Sequence, residues 1–149
     1  MLAEGMDVSL HGRSGQMLHF TDLGSGPPLV LVHGLMITGE MFEPVVDDLA
    51  RRHRVIVPDL RGHGRSRGLP PPYTVPVLAG DLADLLDHLG VWSAAVLGHS
   101  QGGVVAQQFA LDYPERCSRL VLACTYAFNM ASIADATPYS KFRCDKPSS

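Results

Sequence analysis

Four short apolar runs without polar alternation constrain this chain most: Leu29-Val30-Leu31-Val32, Val55-Ile56-Val57, Ala94-Ala95-Val96-Leu97 and Leu120-Val121-Leu122-Ala123. Runs of this length suit strands buried on both faces of a parallel sheet. Between them the period becomes helical. Phe42, Val45, Val46 and Leu49 mark one apolar stripe, and Leu78, Leu82, Leu85, Leu86 and Leu89 mark a second. Thr74 is the expected N-cap of the second helix, with Pro76 tolerated in its first turn. A third helix is predicted from Gln101 to about Tyr113, where Pro114 ends it. Alternating strands and helices with short links specify right-handed βαβ units. The expected class is α/β, a doubly wound, mostly parallel sheet. Val8 to Leu10 and Met17 to Thr21 are predicted to form a hairpin around Gly12-Arg13-Ser14-Gly15. The pattern stops after Cys124, so residues 1–125 are expected to form the core and 126–149 an irregular tail or the start of a lid.

At 149 residues and 46% hydrophobic content the chain can build one domain's core. A net charge of −3 supplies no electrostatic attraction to nucleic acid. Met1 to Gly5 shows neither a basic nor an apolar leader segment, and no run reaches membrane-spanning length. A cytoplasmic location is therefore expected, with no membrane partner. Two arginine groups, Arg51, Arg52 and Arg54, then Arg61, Arg65 and Arg67, read mostly as solvated surface. Three cysteines without ligand spacing imply neither a metal site nor a disulfide framework. Cys124, at the end of an apolar run, reads as a buried, inert thiol.

Chemistry enters at Gly98-His99-Ser100-Gln101-Gly102. A serine between two glycines, directly after a predicted strand and before a predicted helix, has the context of a nucleophile elbow. The turn forces the serine into a strained backbone conformation, and its neighbours two residues away must be small. Gly103 is expected to let the helix approach the sheet closely. Ser100 would then stand at the positive end of the helix. The competing reading is a serine that only caps the helix.

His33-Gly34-Leu35-Met36 follows the first buried run. A loop there can aim a backbone N–H at an oxygen that becomes negative during attack on a carbonyl, with a second N–H from Gln101 in the elbow. Gly34 is expected to give that loop freedom to turn toward Ser100. Asp59, opening Asp59-Leu60-Arg61-Gly62-His63-Gly64-Arg65-Ser66, invites assignment as a catalytic acid. The better reading is structural, because Asp accepts hydrogen bonds from turn N–H groups and Gly62 and Gly64 supply positive φ. Ile37, Met41 and the stretch from Val75 to Leu78 are candidates for lining a pocket.

In this order and spacing the three motifs resemble those of the α/β-hydrolase fold family, specifically its small lid-bearing esterase and lactonase branch. The resemblance runs from about Val8 to about Thr125. It implies Ser100 as nucleophile and the backbone N–H groups of Leu35 and Gln101 as oxyanion donors. A small ester, lactone or thioester would be the acyl substrate, and no metal or organic cofactor is implied. Dehalogenase and epoxide hydrolase members are disfavoured, since they place an aspartate at the nucleophile position.

The chain departs from that pattern after the elbow. Triad order in this fold is nucleophile, acid, histidine, yet all seven histidines precede Ser100. After it the carboxylates are Asp112, Glu115, Asp135 and Asp145, none following a recognisable strand. His33 is the nearest substitute base, although its loop is committed elsewhere. The sequence therefore predicts a very poor catalyst on its own. The chain is the front part of a longer hydrolase, a pseudoenzyme that binds acyl ligands without cleaving them, or one half of a split enzyme. An open edge at the last apolar run would also invite self-association.

Overall fold

A computed structural model of the protein describes residues 6–9 and 17–127. Among them the strands are β1 (Met6–Ser9), β2 (Met17–Leu23), β3 (Pro28–Val32), β4 (Arg54–Pro58), β5 (Ala94–His99) and β6 (Cys117–Ala123). The helices are α1 (Glu43–Ala50), entered through a 3-10 turn at Gly39–Phe42, α2 (Val75–His88) and α3 (Gln101–Asp112). One sheet runs in the order β1-β2-β4-β3-β5-β6. The β1–β2 and β2–β4 pairs are antiparallel, whereas β4–β3, β3–β5 and β5–β6 are parallel. The doubly wound α/β class expected from the apolar runs is therefore the class observed.

The two-residue period of the strands divides the core. Leu29, Leu31, Val55 and Val57 pack against Phe42 and Val46, beneath α1. Val30, Val32, Ile56 and Val96 pack with Leu82, Leu85, Val105 and Phe109, beneath α2 and α3. Helices cover both faces, so runs with no polar residue are what these strands require. At the far edge Val121 and Leu122 of β6 remain 47% and 44% exposed. No described strand pairs with the outer side of β6.

Several expectations need correction. Val45 is 47% exposed. The short α1 meets the sheet through Val46 and the preceding Phe42, which leaves Val45 about 100° round the helix. Thr74 occupies the N-cap position with extended backbone, but its side chain makes no capping hydrogen bond. Cys124 lies beyond β6, exposed and with φ 50°, while Cys117 is the buried thiol. Arg61 is not surface: its side chain is 2% exposed and paired with Asp81 of α2. Arg54 sits in β4 and pairs with Asp22 of β2 at 2.7 Å. The expected turn at Gly12–Gly15 and the residues after 127 lie outside the described residues. Among those described, no helix is long and apolar enough to cross a membrane.

Candidate active site

Strand order decides where the motifs meet. The chain passes from β3 to β4 on one side, then crosses back so that β5 lies on the other side of β3. The C-terminal ends of β3 and β5 thus border the topological switch point, where open α/β sheets place ligands. Val32 pairs with Gly98 in parallel register, and two residues further on Gly34 lies against Ser100.

Ser100 has φ 53° and ψ −121°, between the last residue of β5 and the first of α3. A non-glycine residue held there costs about 1–3 kcal/mol and persists only where its surroundings dictate the conformation. The adjoining glycines show what dictates it. A Cβ on Gly98 would collide with the backbone of Gly102 and Gly103, and one on Gly102 would collide with the carbonyls of Val32 and His33. Gly102, rather than Gly103, therefore brings the helix onto the sheet. Gly103 makes room for the side chain of Thr125. Ser100 is half-buried, not submerged in the core.

Gly34 acts by its missing side chain. A Cβ there would sit 3.2 Å from Cβ of Ser100 and 3.3 Å from Cδ1 of Ile37. The positive φ of this loop falls instead on Met36, at 62°. Leu35, Met36 and Ile37, which follow Gly34 in this loop, are 59%, 87% and 37% exposed. Gln101 opens α3, where a backbone N–H has no acceptor within the helix. Met41 and Val75 are partly buried against the two cores, and Leu78 is buried in one of them.

His33 is fully buried and both its ring nitrogens are engaged. Nε2 accepts from the Leu60 N–H at 2.9 Å, which leaves the proton on Nδ1 to donate to the Gly34 carbonyl at 2.8 Å. The ring ties the β3 loop to the loop after β4 and cannot serve as a base. Burial, above all, holds its pKa below the usual 6.5; the nearby His63 adds to this, while the Gly34 bond and Asp59 oppose it. The unfolded chain then takes up a proton that the folded chain resists. Stability contributed by neutral His33 is complete above about pH 6.5 and is lost as pH falls below that value. Thermal melts of the wild type should therefore fall faster than those of His33→Gln between pH 7 and pH 5. Parallel slopes would refute this.

Asp59 accepts from the Gly39 N–H at 2.8 Å and the Arg65 N–H at 3.1 Å, fastening the two loops. Gly62 and Gly64 have φ 82° and 49°. A cleft of about 380 Å³ opens nearby, lined by Thr38, Glu40, Asp59, Gly64, Arg65 and Arg67, but it does not include Ser100. Nδ1 of His99 is buried without a hydrogen-bond partner. No described side chain hydrogen-bonds the Ser100 hydroxyl. Sequence reasoning missed the segment after β6, where the Thr125 hydroxyl donates to the Ser100 carbonyl at 2.6 Å. No group of metal-ligating side chains occurs among the described residues.

Residues 27–143 match the family model of the alpha/beta hydrolase fold. The chain belongs to the α/β-hydrolase fold family. Among curated relatives of this α/β hydrolase, the magnesium-chelatase 30 kDa subunit of Rhodobacter capsulatus is 48% identical over 101 residues, covering 63% of this chain and 34% of the relative. The soluble epoxide hydrolase of a Corynebacterium strain is 38% identical over 109 residues, covering 73% of this chain and 38% of that protein. A solved structure of a thermophilic esterase from Thermogutta terrifontis superposes with TM-score 0.75 at 34% identity, covering 89% of this chain and 50% of the other. The chain thus spans about a third of the length of these curated relatives.

Proposed function

We propose that this chain carries the nucleophile and oxyanion-binding part of a serine hydrolase that acts on a small carboxylic ester, lactone or thioester. Ser100 attacks the acyl carbon, the carbonyl oxygen takes up negative charge, and the acyl C–O or C–S bond breaks to leave an acyl-enzyme. The serine's proton passes to the departing alcohol or thiol, which for a lactone stays tethered to the acyl group. The backbone N–H groups of Leu35 and Gln101 receive that charge at the positive end of α3. The observation that carries the reading is the strained backbone of Ser100 at φ 53°, enforced by Gly98 and Gly102. A serine that only capped a helix would need no such conformation, and this one makes no side-chain capping bond. The exposed apolar side chains of Leu35, Met36 and Ile37, in the loop whose Gly34 lies against Ser100, suit an apolar acyl group. Likeness to an epoxide hydrolase does not set the reaction, because residue 100 is a serine.

A second reading has its own support. With His33 locked between Leu60 and Gly34, no described histidine activates Ser100. A protein that binds acyl ligands without cleaving them would show the same arrangement. A fluorophosphonate probe separates the two. On the hydrolase reading it attaches to Ser100, as located by peptide mass spectrometry, and labelling disappears in a folded Ser100→Ala variant. Acyl-ligand binding with no covalent adduct would favour the binding protein.

A further inference from the structure

We propose that Thr125 is a positioning residue whose hydroxyl aims the backbone N–H of Gln101 at the oxyanion. The inference rests on the reading of Ser100 as nucleophile and Gln101 as donor. A peptide unit is planar and trans, so its C=O and N–H point in opposite directions and cannot turn separately. The carbonyl of Ser100 and the N–H of Gln101 belong to one such unit. Whatever holds that oxygen therefore sets the direction of that N–H.

Two donors hold it. The Thr125 hydroxyl donates at 2.6 Å and the Gly103 N–H at 2.9 Å. On the other side of Ser100, its own N–H donates to the Ala123 carbonyl at 3.0 Å. The segment leaving β6 thus grips the serine residue through both of its main-chain polar groups. That segment is anchored in turn. The buried Gln107 carboxamide donates to the Tyr126 carbonyl at 2.9 Å and to the Gly103 carbonyl at 3.1 Å, which joins it to α3. The Thr125 side chain also fills the space that any Cβ on Gly103 would need. A glycine at 103 therefore admits the threonine that fixes the elbow.

The Gly103 N–H alone leaves the peptide plane free to rock about that single bond. The cost falls where charge develops, because an oxyanion donor is effective only when aimed in advance. Ground-state ligand binding does not depend on it.

The test uses the whole chain and compares Thr125→Val, which keeps the shape and removes the donor, with Thr125→Ser, which keeps the donor. Acylation of Ser100 by p-nitrophenyl acetate is followed as phenolate release, with the adduct located by mass spectrometry. The valine variant should acylate about 10- to 100-fold more slowly with unchanged apparent ester affinity. The serine variant should recover to within about threefold of wild type. In ¹⁵N spectra the Gln101 amide should broaden in the valine variant and stay sharp in the serine variant. Equal acylation rates, or an unchanged Gln101 amide in a folded valine variant, would overturn the inference. If wild type is not acylated at all, the hydrolase reading falls, while the amide spectra still decide what Thr125 does.

Discussion

Mixed with p-nitrophenyl acetate, the 149-residue chain alone is expected to release at most about one equivalent of phenolate and then stall. The two halves of an acyl-enzyme cycle make different demands. An activated aryl ester has a good leaving group, so on the proposed reading the strained Ser100 can be acylated slowly without general-base help. Hydrolysis of the acyl-enzyme needs a group to deprotonate water, and no described histidine can provide it. His33 spends Nδ1 on the Gly34 carbonyl and Nε2 on the Leu60 N–H. His63 directs Nδ1 to the Arg61 carbonyl, and its ring stands 5.2 Å from that of His33. His99 precedes the serine, but its Nδ1 meets no polar partner.

Removing a triad member from serine proteases lowers kcat by roughly 10⁴- to 10⁶-fold, and the remainder comes from oxyanion and binding contributions. Steady turnover of the chain should sit that far below an α/β hydrolase whose serine is paired with a histidine. Added imidazole, which can act as a diffusible base, should speed release after the burst but not in Ser100→Ala. Sustained turnover over many equivalents, indifferent to imidazole and lost in Ser100→Ala, would show that a base is already in place.

The parts of this fold that were legible in the sequence rest on local rules. Uninterrupted apolar runs mark strands such as β3 because both of their faces are covered, and Pro114 stops α3 wherever α3 lies. The elbow is legible for the same reason: a strained turn between two packed elements admits only small neighbours, and Gly98 and Gly102 are both present. What failed depended on distant partners. Arg61 reads as solvated because nothing in its neighbourhood announces Asp81, twenty residues away. Cys124 reads as buried because it follows an apolar run, but the strand ends one residue before it. Gly34 and Gly103 both read as glycines the turn requires, but their roles depend on which side chains lie opposite. Those are Ser100 in one case and Thr125 in the other. Thr125 itself lies in a stretch with no periodicity, so its grip on the Ser100 carbonyl had no signal at all.

Replacing Asp81 by asparagine is expected to destabilise the protein by about 3–5 kcal/mol, the usual consequence of stranding one member of a buried ion pair. Side chains of Arg61 and Asp81 are 2% and 1% exposed and joined by two parallel bonds, Nε to Oδ2 at 2.8 Å and Nη2 to Oδ1 at 2.9 Å. A guanidinium cannot shed its proton to escape, so loss of the carboxylate charge leaves a buried cation without its counter-ion. The penalty is a large fraction of the 5–15 kcal/mol that typically separates folded from unfolded chains. Replacing both partners with apolar residues of similar volume should cost much less, because each then loses its desolvation penalty along with the attraction. Some cost should remain, since Arg61 also donates to the Pro70 carbonyl at 2.9 Å and so holds the loop between β4 and α2 closed. That loop carries Asp59 and Leu60, which fasten Gly39 and His33, so its release should loosen the segment that faces Ser100. Urea unfolding with an unchanged slope measures the stability term. An asparagine variant within about 1 kcal/mol of wild type would mean that the pair is solvated in practice.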